Sequence, residues 1–170
     1  GVMCMVSGGM HSSVKMANQS RVIFEPLAKK TGYTFFLVLH GSQPRFVVRE
    51  IYPDLLRAGR YIHYHAERFG VDADRLGALG FSSGGWCSLM VATLGDDGNP
   101  DASDPVEREP SRIRAAAAFF PPTDFMNYGA PGIIDLGTGV LKPFRRAFFQ
   151  YDQPVEGEEA IGPEISPITH

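Results

Sequence analysis

The chain is short of the features that most readily assign a function. It holds two cysteines, Cys4 and Cys87, too few for a disulfide framework or an all-cysteine metal site. Both fall in apolar runs that read as buried elements, so they are expected to be inert core thiols, and the redox compartment stays open. The five histidines are not at metal-ligand spacing, and Gly8-Gly9 does not extend into a G-x-G-x-x-G. No metal or organic cofactor is therefore implied. No apolar run approaches the roughly 20 residues that span a bilayer, so no transmembrane segment is expected. Positive charge is not in surplus: the formal net charge is −3, and no Lys/Arg-rich stripe offsets it. That argues against a nucleic-acid partner. There is no internal repeat and no low-complexity tract. No signal-peptide pattern is visible, but residues 1–6 already read as the middle of a sheet, and 165–170 stop without a closing helix. The chain thus reads as part of a longer protein, and localisation is left unassigned.

What is present is ordinary for a globular protein: 44% hydrophobic and 21% charged residues in 170 positions. That length suits one domain with a single sizeable core. Strand-like apolar runs alternate with helix-like periodic ones, which points to an α/β class with a mostly parallel sheet and helices on both faces, a three-layer αβα sandwich. Residues 2–6 read as a strand ending in the loop 7–13, 21–30 as a helix stopped at Gly32, and 33–39 as a strand buried on both faces. From about Phe46 to Phe69, apolar residues at Ile51, Leu55, Ala58, Ile62, Ala66 and Phe69 step by three and four, the pattern of one long amphipathic helix. Residues 75–80 form a further short buried strand and 113–120 another, ended by Pro121-Pro122-Thr123-Asp124. Residues 125–164, rich in Gly and Pro with short apolar patches, read as an excursion over the sheet edge, a lid or part of a pocket wall.

The richest stretch is Gly80-Phe81-Ser82-Ser83-Gly84-Gly85. It lies between a strand-like and a helix-like run and matches G-x-S-x-G, the pattern of a serine held on a sharp strand-to-helix turn. Residues two before and two after that serine must be small for strand and helix to pass closely, and Gly80 and Gly84 meet the need around Ser82. In the other register Phe81 would occupy a glycine position, so Ser82 is the nucleophile candidate. Acyl transfer also needs backbone N–H donors aimed at the developing oxyanion. One is expected from Ser83, at a helix N-terminus. The other must come from a loop after an earlier strand, either Ser7-Gly8-Gly9-Met10 or His40-Gly41-Ser42. Only the first leaves room for a helix, a strand and a second helix before the Ser82 strand, so Gly8 and Gly9 are the expected oxyanion loop.

On these residues the chain resembles the α/β-hydrolase superfamily, in its esterase/lipase branch, similar to hormone-sensitive-lipase-like and xylan-esterase-like carboxylesterases. Ser7-Gly8-Gly9 matches the H-G-G-G loop, Gly80–Gly85 the G-x-S-A-G-G, and residues 70–77 and 119–124 the flanking strand segments. The resemblance spans nearly the whole chain as a single partial domain, 1–170, truncated at both ends. It implies a serine hydrolase of small-molecule carboxylic esters working through an acyl-enzyme. It also implies that the acid and the histidine base follow His170, so residues 1–170 alone are expected to turn over little or nothing. The departures are Ser7 for histidine, Met10 for a third small residue and Ser83 for alanine. Asp124 fits a turn residue bonding its own backbone better than the acid. His11, His40, His63 and His65 read as surface or packing residues. Two other readings stay open: a prolyl-oligopeptidase-type serine peptidase, which shares the elbow, and a non-catalytic α/β-hydrolase-like binding module, which the Ser7 and Met10 departures keep open.

Overall fold

The computed structural model describes residues 1–149 and 158–170; positions 150–157 of the expected excursion lie outside the described residues. Four strands, β1 (Val2–Met5), β2 (Phe35–Val38), β3 (Gly77–Phe81) and β4 (Ala115–Phe119), form one parallel sheet in the order β2-β1-β3-β4. Parallel neighbours need crossovers of a dozen or more residues. α1 (Val14–Thr31) links β1 to β2, α2 (Val48–Tyr64) and α3 (Ala66–Phe69) link β2 to β3, and α4 (Ser83–Leu94) follows β3.

The register puts Met3 beside Phe36 and Ala78, and Met5 beside Val38 and Gly80. Successive strand side chains alternate between faces. One face therefore joins Val48, Ile51, Leu55 and Ile62 of α2 and Trp86, Cys87, Met90 and Val91 of α4 in the main core. On the other face Phe24 of α1 meets Phe35 edge-on and packs against Phe81. The α2 residues recur at the three- and four-residue spacing of an amphipathic stripe, whereas α4 is apolar nearly all round, in keeping with its burying eight of twelve residues. The indole N–H of Trp86 donates to the Ile165 carbonyl at 2.7 Å, which ties the helix Glu158–Ile165 onto α4. Cys4 and Cys87 are buried free thiols, and desolvation pushes each pKa up to about 12, as core thiols require.

Three elements differ from expectation. α1 begins at Val14 rather than Arg21, because Ser13 caps it: its hydroxyl accepts the Met16 N–H at 3.3 Å. The long helix over 46–69 is two helices, since His65 leaves helical geometry at φ −105°, ψ 18° and α3 ends at the left-handed Gly70. Among the described residues β4 stands at the sheet edge and is not buried: Ala115, Ala116, Ala117 and Phe119 are exposed, and β3 is its only partner there.

Candidate active site

All four strands end on the same side of the sheet, and the crevice beyond such carboxyl ends is where open α/β sheets hold ligands. Ser82 is the single residue between β3 and α4, with φ 52° and ψ −124°. Its N–H donates to the Phe119 carbonyl at 2.9 Å, and its carbonyl accepts the Trp86 N–H at 3.1 Å. The backbone is thus fixed from both sides in a conformation that L-residues avoid. The close passage demands glycine. A methyl on Gly80 would collide with the Gly84 carbonyl, and one on Gly84 would sit 2.6 Å from the Met5 carbonyl oxygen.

Ser82 itself is exposed, on a cavity of about 500 Å³ lined also by Gly9, Met10, Ser83, Phe120 and Phe144. Met10, Ser82 and Phe120 are the three non-glycine residues with positive φ among the described residues, and all three line this one cavity. Strain of that kind persists only where the surroundings impose it, and it concentrates at functional sites. The wall opposite is built from the excursion, through Tyr128, Leu141 and Phe148. That segment is anchored by the Asp135 carboxylate, which accepts the N–H groups of Gly137, Thr138, Gly139 and Leu141.

Among the described residues the amides of Gly9 and Ser83 donate to no protein acceptor, and both residues border the cavity with Ser82. Gly8 differs. Its N–H donates to the His11 carbonyl at 2.9 Å and the His11 N–H returns to the Gly8 carbonyl at 3.1 Å, so Gly8 closes the loop instead of offering a free donor. Gly9 has φ +57°, and a methyl there would lie 2.5 Å from the Phe144 ring.

The two loops that compete in sequence are joined in space. The Ser42 hydroxyl accepts the Ser12 N–H at 2.6 Å and donates to the Ser12 carbonyl at 2.8 Å. The Gln43 amide donates to the Gly9 carbonyl at 3.2 Å. His40, read from sequence as a surface or packing residue, is half-buried, with Nε2 2.8 Å from the Ser7 hydroxyl. Ser7 Oγ in turn lies 3.0 Å from Ser83 Oγ. Burial lowers the His40 pKa from its ordinary value, the Gly41 carbonyl opposing this only in part. No local pattern marks such a bond, which joins residues 33 apart.

The remaining histidines stand elsewhere. His11 is exposed, His63 faces the Arg112 carbonyl, His65 packs among Tyr61, Tyr64 and Phe69, and His170 meets the Glu164 carbonyl. No histidine is among the residues lining the cavity, and no described residue hydrogen-bonds the Ser82 hydroxyl. Asp124 does border the cavity. Its carboxylate accepts the Asn127 side-chain amide and the N–H groups of Met126 and Asn127, bonds that hold it below the usual carboxylate range. It is a turn residue.

A protein-family model, BD-FAE, matches residues 1–159. Among solved structures the chain is similar to an acetyl ester-xyloside bifunctional hydrolase from Caldicellulosiruptor lactoaceticus, at TM-score 0.74 and 22% identity over 99% of this chain and 55% of that one. It is likewise similar to a truncated form of a carbohydrate esterase from gut microbiota, at TM-score 0.76 and 18% identity over 99% of this chain and 60% of that one. A third is carboxyl esterase 2 from the mycorrhizal fungus Tuber melanosporum, at TM-score 0.70 and 19% identity, covering 99% and 52%. The chain thus spans little more than half the length of each. Its sheet and helices are those of a partial α/β-hydrolase fold. No curated protein matches the sequence.

Proposed function

The chain belongs to the BD-FAE family, and on that premise we propose that it is the serine-bearing part of a carboxylic-ester hydrolase acting through an acyl-enzyme. The carrying observation is the positive-φ serine with two amides beside it on one cavity that donate to no acceptor among the described residues. Strand, strained residue and helix in that order are the arrangement of a nucleophile elbow, which holds a serine hydroxyl out toward substrate. Ser82 Oγ attacks the ester carbonyl carbon and gives its proton to a general base. The carbonyl oxygen becomes negative and is held by the amides of Gly9 and Ser83, the latter at the N-terminus of α4, where the helix dipole adds to the attraction. The alcohol leaves with the proton, and water releases the acyl group by the reverse proton path.

The base and its orienting acid are assigned to polypeptide outside the described residues, in the order serine, acid, histidine. Residues 1–170 alone would then turn over little or nothing. Support for an ester as substrate comes from the activities named for the similar structures and from the apolar wall of Phe120, Phe144 and Phe148 around the serine. The test is hydrolysis of p-nitrophenyl acetate by the intact protein. Ser82→Ala is expected to lower kcat/KM by at least about a thousandfold with the fold unchanged. Equal activity in the variant would refute the assignment. An intact protein with no esterase activity would favour the binding-module reading.

A further inference from the structure

The loop that carries Gly9 is tied to its own strand and helix at its two ends, where the Ser7 N–H donates to the Met5 carbonyl and Ser13 caps α1. After β1 it runs through residues 6–13 before α1 begins, and its internal backbone contacts are the single Gly8–His11 bridge and the Ser7 N–H to the Met5 carbonyl. Its lateral support comes from the loop after β2. There His40, Ser42 and Gln43 reach Ser7, Ser12 and Gly9, and the His40 N–H faces the Ser12 hydroxyl at 3.4 Å.

Within this set the bond from His40 to Ser7 is the one that continues to Ser83. His40 Nδ1 lies 2.5 Å from the Gly41 carbonyl oxygen. A carbonyl can only accept, so Nδ1 carries the hydrogen, and in a neutral ring Nε2 is then the acceptor. The Ser7 hydroxyl therefore donates to Nε2, and its oxygen is left to accept from the Ser83 hydroxyl. Ser83 is the residue whose amide borders the cavity beside Ser82. One directional chain, Ser83 to Ser7 to His40, thus spans the gap between the two pieces of backbone that must converge on an oxyanion. Neither Ser7 nor His40 lines the cavity, so their influence passes through the backbone they hold.

We propose that His40 is a positioning residue for ester hydrolysis, fixing through Ser7 the distance between the Gly9 amide and the Ser83 amide. The inference rests on the oxyanion reading of those amides. It makes a prediction that reading alone does not: a histidine outside the cavity controls the acceleration of the chemical step. Donors must lie about 2.7–3.1 Å from the developing oxyanion, so a loosened loop costs rate more than substrate binding.

The test uses the intact protein, with p-nitrophenyl acetate as substrate and active sites counted by titration with a fluorophosphonate. Rates then refer to folded, reactive molecules only. His40→Ala and Ser7→Ala are each expected to lower kcat by about tenfold to a hundredfold with KM within about twofold. The double variant should be no worse than the weaker single one, because both break the same chain. His40→Gln, which can again offer an acceptor to Ser7, should recover most of the lost kcat. Wild-type kcat per titrated site in His40→Ala would overturn the proposal, and so would additive losses in the double variant or failure of the Gln variant to recover. Ser82→Ala separates the two readings. If it loses activity while His40→Ala does not, the positioning role fails and the serine hydrolase stands. If Ser82→Ala keeps activity, both fall.

Discussion

α4 and α1 both follow strands of one parallel sheet and both begin at the cavity end, yet they are held by different forces. α4 starts one residue after β3 and buries eight of its twelve residues. α1 starts only after residues 6–13 have intervened, and buries Ala17 and Phe24 out of eighteen. Where the helix is enclosed, the connecting residue has no freedom, and the close passage of strand and helix at Gly80 and Gly84 forces Ser82 to φ 52°. Where the helix lies loosely on the sheet, the loop takes its shape from hydrogen bonds to a neighbouring loop, those of His40, Ser42 and Gln43. One half of the candidate site is therefore set by close packing and the other by polar contacts. The two halves should fail differently.

The sharpest break should come on the packed side. Gly80→Ala drives a methyl into the Gly84 carbonyl, backbone against backbone with no flexible side chain to yield. A loss of more than about 4 kcal/mol, or failure to fold, is expected in chemical denaturation. A near-native midpoint would remove the steric argument. Ser82→Gly should act in the opposite sense and more gently. It releases the positive-φ strain and is expected to raise stability by about 1 kcal/mol while abolishing hydrolysis, so a destabilised Gly variant would mean the turn is not strained.

The polar side should answer to pH. Burial holds the His40 pKa below the ordinary 6.5, so the unfolded chain binds more protons in acid than the folded one. The contribution of a neutral His40 is complete above pH 6.5 and is lost as pH falls through the depressed folded value. Stability of the wild type should decline across that window more steeply than that of His40→Gln, as measured by thermal melts from pH 7.5 to 5. Identical slopes would take His40 out of the loop's support. The smallest effect belongs to the outer face of α1, where Val22 is 77% exposed: Val22→Lys should change stability by less than about 0.5 kcal/mol. A large loss would mean that α1 is packed as tightly as α4.

The same contrast explains what could be read from the residues alone. Packing leaves local traces. The apolar runs of β1, β2 and β3, the step of Ile51, Leu55 and Ile62, and the paired Gly80 and Gly84 around Ser82 all mark their places. Hydrogen bonds between distant loops leave none. Nothing near His40 points to Ser7, and nothing in Ser7-Gly8-Gly9 tells that the Gly8 amide turns back to His11 while the Gly9 amide finds no acceptor among the described residues. The early start of α1 was obscured by the polar stretch Lys15 to Ser20, which has no apolar stripe; its cap at Ser13 was the one local sign. β4 misleads in the other direction. A run of alanines and phenylalanines looks buried, but its exposure depends on which strands pair beside it, and composition carries no word of that.

Ser7, Ser82 and Ser83 crowd the same strand ends, so hydrolysis depends on which hydroxyl is presented for attack. Treating the intact protein with a fluorophosphonate, then digesting it and mapping the adduct by mass spectrometry, answers that question directly. The expected result is a single phosphonyl group on Ser82, the serine that combines exposure, a hydroxyl with no partner among the described residues and a strained backbone. An adduct on Ser7 or Ser83, or an intact protein that is folded and unmodified, would contradict it.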